Sequence, residues 1–521
     1  MFRILKCKKD CYITNKIIKN SIAANSRSIN ANTGQAGTID LFKLYNESSN
    51  TGSIELSRAL LQFDFTPIYF LTSSILNLND NSFKCYLQLF DVYGGQTTPS
   101  NYNLEVYPFA KTFYEGVGKD VIGFQDIDAA NWISSSNGVN WNITGSYASG
   151  NLGDSNIDYY VSGVLSNVSV SFCKSQFFSS GEEDLNIDVT TLVSGVISGQ
   201  IPDNGFRLSF SLDEEEDLET RFVKRFSSRH SRNLFKHPKL IVKFNESIID
   251  RQLDLSTDVS CSVGIYNTEF GNYRNFFSSS QEITGSNSLL LELHASKSIT
   301  TWVSGWSSTH SQSINYLTSS YVYYSSSFSG SLRTGLTGVY YSDIFLDSSD
   351  QSFIDCLNSD KSISILPLWK SLDGTRLFSS GSYLKAQLGN GQVENVAERN
   401  FVINVQNLKQ TYTQLEIGRL RVFIQDYNTD FKAYFVPIET VSKIYNQMYW
   451  RLLNANTREI IIPFDTTENG TKLSADGKGM YFDMYFEDLP ENHVYEFEFL
   501  IRENNQDFVS TNQGFKFKVT K

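Results

Sequence analysis

Apolar residues recur at every second position through much of this chain, and that period constrains its fold more than any other feature. Lys43-Leu44-Tyr45, Tyr86-Leu87-Gln88-Leu89-Phe90, Phe206-Arg207-Leu208-Ser209-Phe210 and Leu240-Ile241-Val242-Lys243-Phe244 are short β-type runs. Val494-Tyr495-Glu496-Phe497-Glu498-Phe499 and Phe515-Lys516-Phe517-Lys518-Val519 alternate between apolar and charged residues. Successive side chains of a strand point to opposite faces, so this pattern sets one face on a core and the other in water. Clusters such as Asn101-Tyr102-Asn103 and Ser135-Ser136-Asn137-Gly138 separate the runs and supply turns. No stretch sustains a helical period or a heptad, so a coiled-coil shaft is not expected. The sequence predicts an all-β protein of tandem β-sandwich domains.

At 521 residues the chain has the length of about three folding units. The first region, 1–245, closes with the strand Leu240 to Phe244 and the polar Asn245-Glu246-Ser247. A middle region, 246–400, is rich in Ser, Tyr and Gly, and a second sandwich is expected there. It ends at Gly389-Asn390-Gly391-Gln392. The last region, 401–521, carries an evident hairpin: Met448 to Leu453, a turn at Asn454-Ala455-Asn456-Thr457, then Glu459-Ile460-Ile461-Ile462. Its size and short strands match an immunoglobulin-like sandwich.

Charge narrows the function. Lys and Arg total 44 against 56 Asp and Glu, a formal net charge of −12, so a protein that wraps nucleic acid is disfavoured. Met1 to Asp10 is basic but lacks the apolar stretch of a signal peptide, and no apolar run is long enough to span a bilayer. Synthesis in a cytoplasm, with no membrane insertion, is expected. Cysteines at 7, 11, 85, 173, 261 and 356 include one close pair and no second half of a zinc site, so reduced structural thiols are expected. Histidines at 230, 237, 294, 310 and 493 show no ligand spacing; His230 and His237 lie in a basic segment where acids can pair with them. There is no Gly-x-Ser-x-Gly elbow and no P-loop. The residues thus predict no catalytic set, no metal site and no cofactor.

Region one resembles the DNRLRE domain, a jelly-roll β-sandwich module of secreted bacterial proteins and phage structural proteins. The matching pieces run in order: Asp10-Cys11-Tyr12-Ile13, Asn32-Thr33-Gly34, Leu41-Phe42-Lys43-Leu44, and Ser57-Arg58-Ala59-Leu60-Leu61-Gln62-Phe63-Asp64-Phe65. Phe113-Tyr114-Glu115-Gly116 with Trp141, Asp188 to Val193, Pro202 to Leu208, Phe226-Ser227-Ser228-Arg229 and Pro238 to Phe244 complete it. The central stretch is longer and richer in Ser and Asn than the family pattern. The resemblance implies a non-enzymatic scaffold and an extracellular or virion-surface building or binding role.

Several local features need a partner or a ligand. Arg58 stands in an apolar run and needs a carboxylate or carbonyl if buried, with Asp64 the nearest candidate. The acidic run Asp213-Glu214-Glu215-Glu216-Asp217 lacks a calcium-loop glycine and reads as a solvated turn or an inter-subunit contact, its charge offset by Arg221, Lys224, Arg225, Arg229 and Arg232. Trp302, Trp306, Tyr316, Tyr321, Tyr323 and Tyr324 are aromatic enough to form a sugar-stacking platform, with Trp302, Trp306 and Tyr323 the candidate glycan-binding residues. The function these readings favour is a structural component of a bacteriophage virion, tail- or neck-associated, forming a homo-oligomer that contacts other virion proteins. The alternative is a receptor- or glycan-binding phage appendage that engages a host-surface glycan. A third reading, a polysaccharide-degrading enzyme, requires a converging carboxylate pair that sequence cannot reveal.

Overall fold

A computed structural model of the chain describes residues 1–19, 25–48, 52–71, 76–92, 99–122, 125–249, 255–256, 260–269, 272–278, 281–298, 314–318, 321–332, 337–345, 362–380, 384–387, 401–426, 442–503, 506–511 and 513–521. Strands dominate. The α-helices among the described residues are the short Thr66–Tyr69, Thr190–Ile197 and Leu212–Glu216. No helix among the described residues is long and apolar enough to cross a membrane. The chain forms two compact units, one of Phe2–Phe70 and Phe83–Lys243, the other of Met1, Leu71–Ser82 and Phe244–Lys521.

The first unit is built on β1 (Phe2–Thr14), β2 (Thr38–Tyr45), β3 (Ile54–Phe63), β4 (Lys84–Leu89), β5 (Tyr102–Pro108), β6 (Tyr159–Leu165), β7 (Lys174–Phe178), β8 (Leu185–Asp188), β9 (Phe206–Phe210), β10 (Arg221–Ser227) and β11 (Lys239–Lys243). Strand β1 serves two ladders. Phe2 to Lys6 pair antiparallel with β11, and Cys7 to Thr14 pair antiparallel with β3, the register shifting between Cys7 and Lys9. An extra residue bends and twists a strand, which lets β1 pass from one layer to the next. On one side the order runs β1-β11-β4-β8; on the other it runs β1-β3-β9-β5-β7, with β2 joined to β3 and β10 to β2. The inward face alternates as the sequence demands: Ala59, Leu61 and Phe63 of β3 and Phe206, Leu208 and Phe210 of β9 are buried. Tyr102 stacks on Phe178 at 5.1 Å in this core.

The opposite face of β3 and β9 is also covered. Leu60, Ile13 and Cys11 pack under Phe109, Phe113, Trp132, Trp141 and Tyr159, which come from the long stretch after β5. Trp141 is locked by an indole N–H donated to the Asn131 carbonyl at 2.9 Å. Asp158, fully buried, accepts from the backbone N–H groups of Asn142, Ile143 and Ala148 and holds the segment in a closed loop. The Ser- and Asn-rich stretch is therefore a packed cover.

In the second unit a nine-stranded sheet is centred on Leu289–Ser298, flanked antiparallel by Tyr321–Leu332 and Ser362–Lys370. Beyond residue 401 the strands form a β-sandwich. Phe401–Val405, Ile417–Asp426, Gly479–Tyr485 and Ser474–Asp476 make one sheet, and Met448–Asn454, Val494–Glu503 and Lys516–Thr520 belong to the other. Trp450 of one sheet stacks on Phe482 of the other at 5.0 Å, and Phe497 meets Phe482 edge-on at 5.2 Å. The Tyr495 hydroxyl donates to the Pro490 carbonyl at 2.7 Å, the backward tie that fixes corners in sandwich folds. The hairpin lies where the sequence places it, Leu452 opposite Ile462, with Arg458 at φ 62° closing the turn.

Candidate functional site

The polar residues that stood out in the sequence are drawn into two clusters of the first unit. The first lies beneath the cover. Arg58 is 1% exposed, and its Nε and Nη2 donate to the two oxygens of Glu215 at 2.9 and 2.5 Å. Its Nη1 donates to the Gly145 carbonyl at 2.5 Å, and the guanidinium lies over Trp132 and Tyr147. Asp64 is not the partner. The two residues are six apart along an extended chain, about 20 Å, and Asp64 instead accepts from the Thr66 backbone N–H at 3.0 Å.

The acidic run is likewise no solvated turn. Ser211 and Glu214 form a reciprocal capping box at the start of the helix Leu212–Glu216, and the helix turns each acid in a different direction. Glu215, 2% exposed, meets Arg58, with Arg207 at 3.7 Å. Asp217 accepts from Lys43 at 2.5 Å and Arg221 at 2.9 Å; burial pulls its carboxyl up, but those donors bring it down to about 2. Of the cations expected to offset the run, Arg221 does so; Lys224 is bound to Asp91, Arg225 to Asp40 and Arg229 to Glu115.

The second cluster joins residues from four of the segments that carry the family resemblance. Asn32 donates to the carbonyls of Glu115 and Ala130, at 2.7 and 2.9 Å, and its side-chain oxygen accepts from the N–H groups of Gly34 and Gly118. A Cβ on Gly34 would stand 2.2 Å from the Glu115 carbonyl oxygen, and Gly116, at φ +80°, leaves no room for one beside Asn32. These contacts place Glu115 against β1. Its carboxylate accepts from the Asp10 N–H at 2.8 Å and from Arg229 Nε at 2.7 Å, and Arg229 Nη2 holds its other oxygen. Asp10, 1% exposed, accepts from the Arg229 N–H at 2.6 Å through Oδ2. Its Oδ1 is buried with no hydrogen-bond donor, and Arg229 Nε stands 3.7 Å from it. Burial pushes the Asp10 carboxyl up to about 7. His230 Nε2 stands 3.7 Å from Glu115, and burial, then the neighbouring Arg229, lowers its pKa. One atom from each of Asp10, Glu115 and His230 lies within 4.8 Å of the others.

Sequence reasoning placed His230 near acids but did not find this convergence, because its members are spread from residue 10 to residue 230. His237 has a different neighbour, the Ser231 carbonyl, to which Nε2 donates at 3.0 Å. Asp10 and Glu115 are converging acids, yet they do not have the form a sugar-cleaving pair requires. Asp10 is closed to a sugar ring, and both Glu115 oxygens are held by Arg229. Cys7, Cys11, Cys85 and Cys173 are free thiols, and burial raises the pKa of each. Trp302 and Trp306 lie outside the described residues; Tyr323 lies on the strand Tyr321–Leu332, its backbone paired with Ser296 and Tyr316.

Fold and site together define a nearly all-β protein whose clustered charges brace its own layers. No family model matches the chain, and no curated protein matches it. Among solved structures, the fibronectin(III)-like modules of Clostridium thermocellum CbhA are similar over 52% of this chain and 90% of theirs, at 9% identity and a TM-score of 0.13. Titin-A168169 is similar over 53% of this chain and 96% of its own, at 5% identity and a TM-score of 0.15. Overlap of that size gives no residue correspondence, and the fold rests on this chain's own ladders.

Proposed function

We propose that the chain is a structural component of a bacteriophage virion, associated with the tail or neck and acting through contacts with its own copies and neighbouring virion proteins. The observation that carries this reading is the use made of its polar residues. Arg58, Glu215, Lys43, Asp217, Asp10, Glu115 and Arg229 are committed to one another as internal struts. Such bracing suits a module that transmits contact and keeps its shape. The DNRLRE-like motifs of region one support the same role. Quantitative mass spectrometry of particles purified from cells making this chain is the test. A fixed ratio to the other particle proteins is expected; absence from particles overturns the reading.

A further inference from the structure

The Asp10, Glu115 and His230 cluster has a chemistry that bracing alone does not use. Its Arg229 guanidinium carries one charge against two carboxylates, hydrogen-bonded to Glu115 and 3.7 Å from Asp10 Oδ1, which is buried without a hydrogen-bond donor. An oxygen in that state normally has a proton donor or a cation beside it, since burial otherwise costs the lost hydration. We infer that these three side chains form a binding site for a divalent cation of the zinc or manganese class, set between β1, the Glu115 loop and the segment after β10.

The donor set argues for that class. Two carboxylate oxygens and one imidazole nitrogen suit zinc and manganese, whereas calcium and magnesium take oxygen ligands almost throughout. The orientation is fixed in advance. The Arg229 N–H holds Asp10 Oδ2 and leaves Oδ1 facing the cluster, while Arg229 Nη2 holds one Glu115 oxygen in place. Outer partners of that sort orient ligating carboxylates in metal sites. Ligands about 2.1 Å from one ion stand at most about 4.2 Å apart, so a cluster whose atoms lie within 4.8 Å of one another must draw in slightly. His230, 26% exposed, is the side chain placed to move, and the Arg229 Nε contact with Glu115 is the one that yields. With three protein ligands, the remaining positions are filled by water. The bound ion would tie together three segments far apart in sequence, and the site stands or falls independently of the virion reading.

The test uses the full chain, stripped with chelator and dialysed separately against Zn²⁺, Mn²⁺ and Mg²⁺, with bound metal measured by elemental analysis and folding followed by thermal melting. Zinc or manganese is expected to bind at about one ion per chain and to raise the melting temperature, with magnesium doing neither. His230→Gln, on a partly exposed side chain, is expected to weaken binding at least about tenfold while the apo melting temperature stays unchanged. Asp10→Asn should weaken it too. Failure of both ions to bind overturns the site. So does binding that His230→Gln leaves unchanged, because the ion would then sit elsewhere.

Discussion

Glu215 shows how much one side chain decides in the first unit. It answers two buried guanidinium groups, Arg58 by paired hydrogen bonds and Arg207 at 3.7 Å, all three residues being no more than 3% exposed. Removing one partner of a buried ion pair leaves an uncompensated charge and costs about 3–5 kcal/mol. Glu215→Gln strands two cations, whereas Arg58→Met leaves Glu215 with Arg207 still beside it. Denaturant unfolding should therefore find Glu215→Gln the more damaging of the two. An Arg58→Met variant that loses more stability would mean the Gly145 carbonyl and the aromatic contacts of Arg58 outweigh the pair. The need for a partner was legible in the sequence, because an arginine stood in an apolar run. The partner itself was not, being 157 positions away. The Ser-x-x-Glu spacing at Ser211 was the signal that marks Leu212–Glu216 as a helix.

Strands with dense apolar runs were the readable elements, even where both faces are buried, as in β9. The hairpin from Met448 to Ile462 lies where its two apolar runs and their turn place it, and β9 and β11 lie where period two places them. The cover over β3 and β9 had no such signature. Its Trp132, Trp141 and Tyr159 follow no period, and side chains such as Asp158 hold its backbone beside only short ladders. The two clusters were half visible: the motif residues Asn32, Gly34, Glu115 and Arg229 stood out singly, and only the fold brings them together. Gly34 tests that meeting. Gly34→Ala forces a methyl against the Glu115 carbonyl, rigid backbone that cannot rotate away. Overpacking of this kind costs about 1–3 kcal/mol, and here the strain falls on the loop that presents Glu115. Chemical denaturation should show that loss. A neutral Gly34→Ala would mean the loop is free to retreat from β1.

Across the whole molecule, cooperativity follows from where the cores lie. The first unit has its core between the β1-β11-β4-β8 and β1-β3-β9-β5-β7 ladders, and the C-terminal sandwich has its own around Trp450, Phe482 and Phe497. Chains with separate cores depart from a single all-or-none transition, so calorimetry of the intact protein is expected to resolve at least two. Substitutions then assign them. Trp450→Ala removes a buried ring from the inter-sheet stack, about 3–5 kcal/mol, and should lower one transition alone. Glu215→Gln should lower the other, by about 6–20 °C if each kcal/mol shifts a unit of this size by 2–4 °C. A module whose units melt separately can lose one without losing the shape of the other. One transition that falls equally with either substitution would instead make the chain a single cooperative body, and separate sandwiches would no longer describe its energetics.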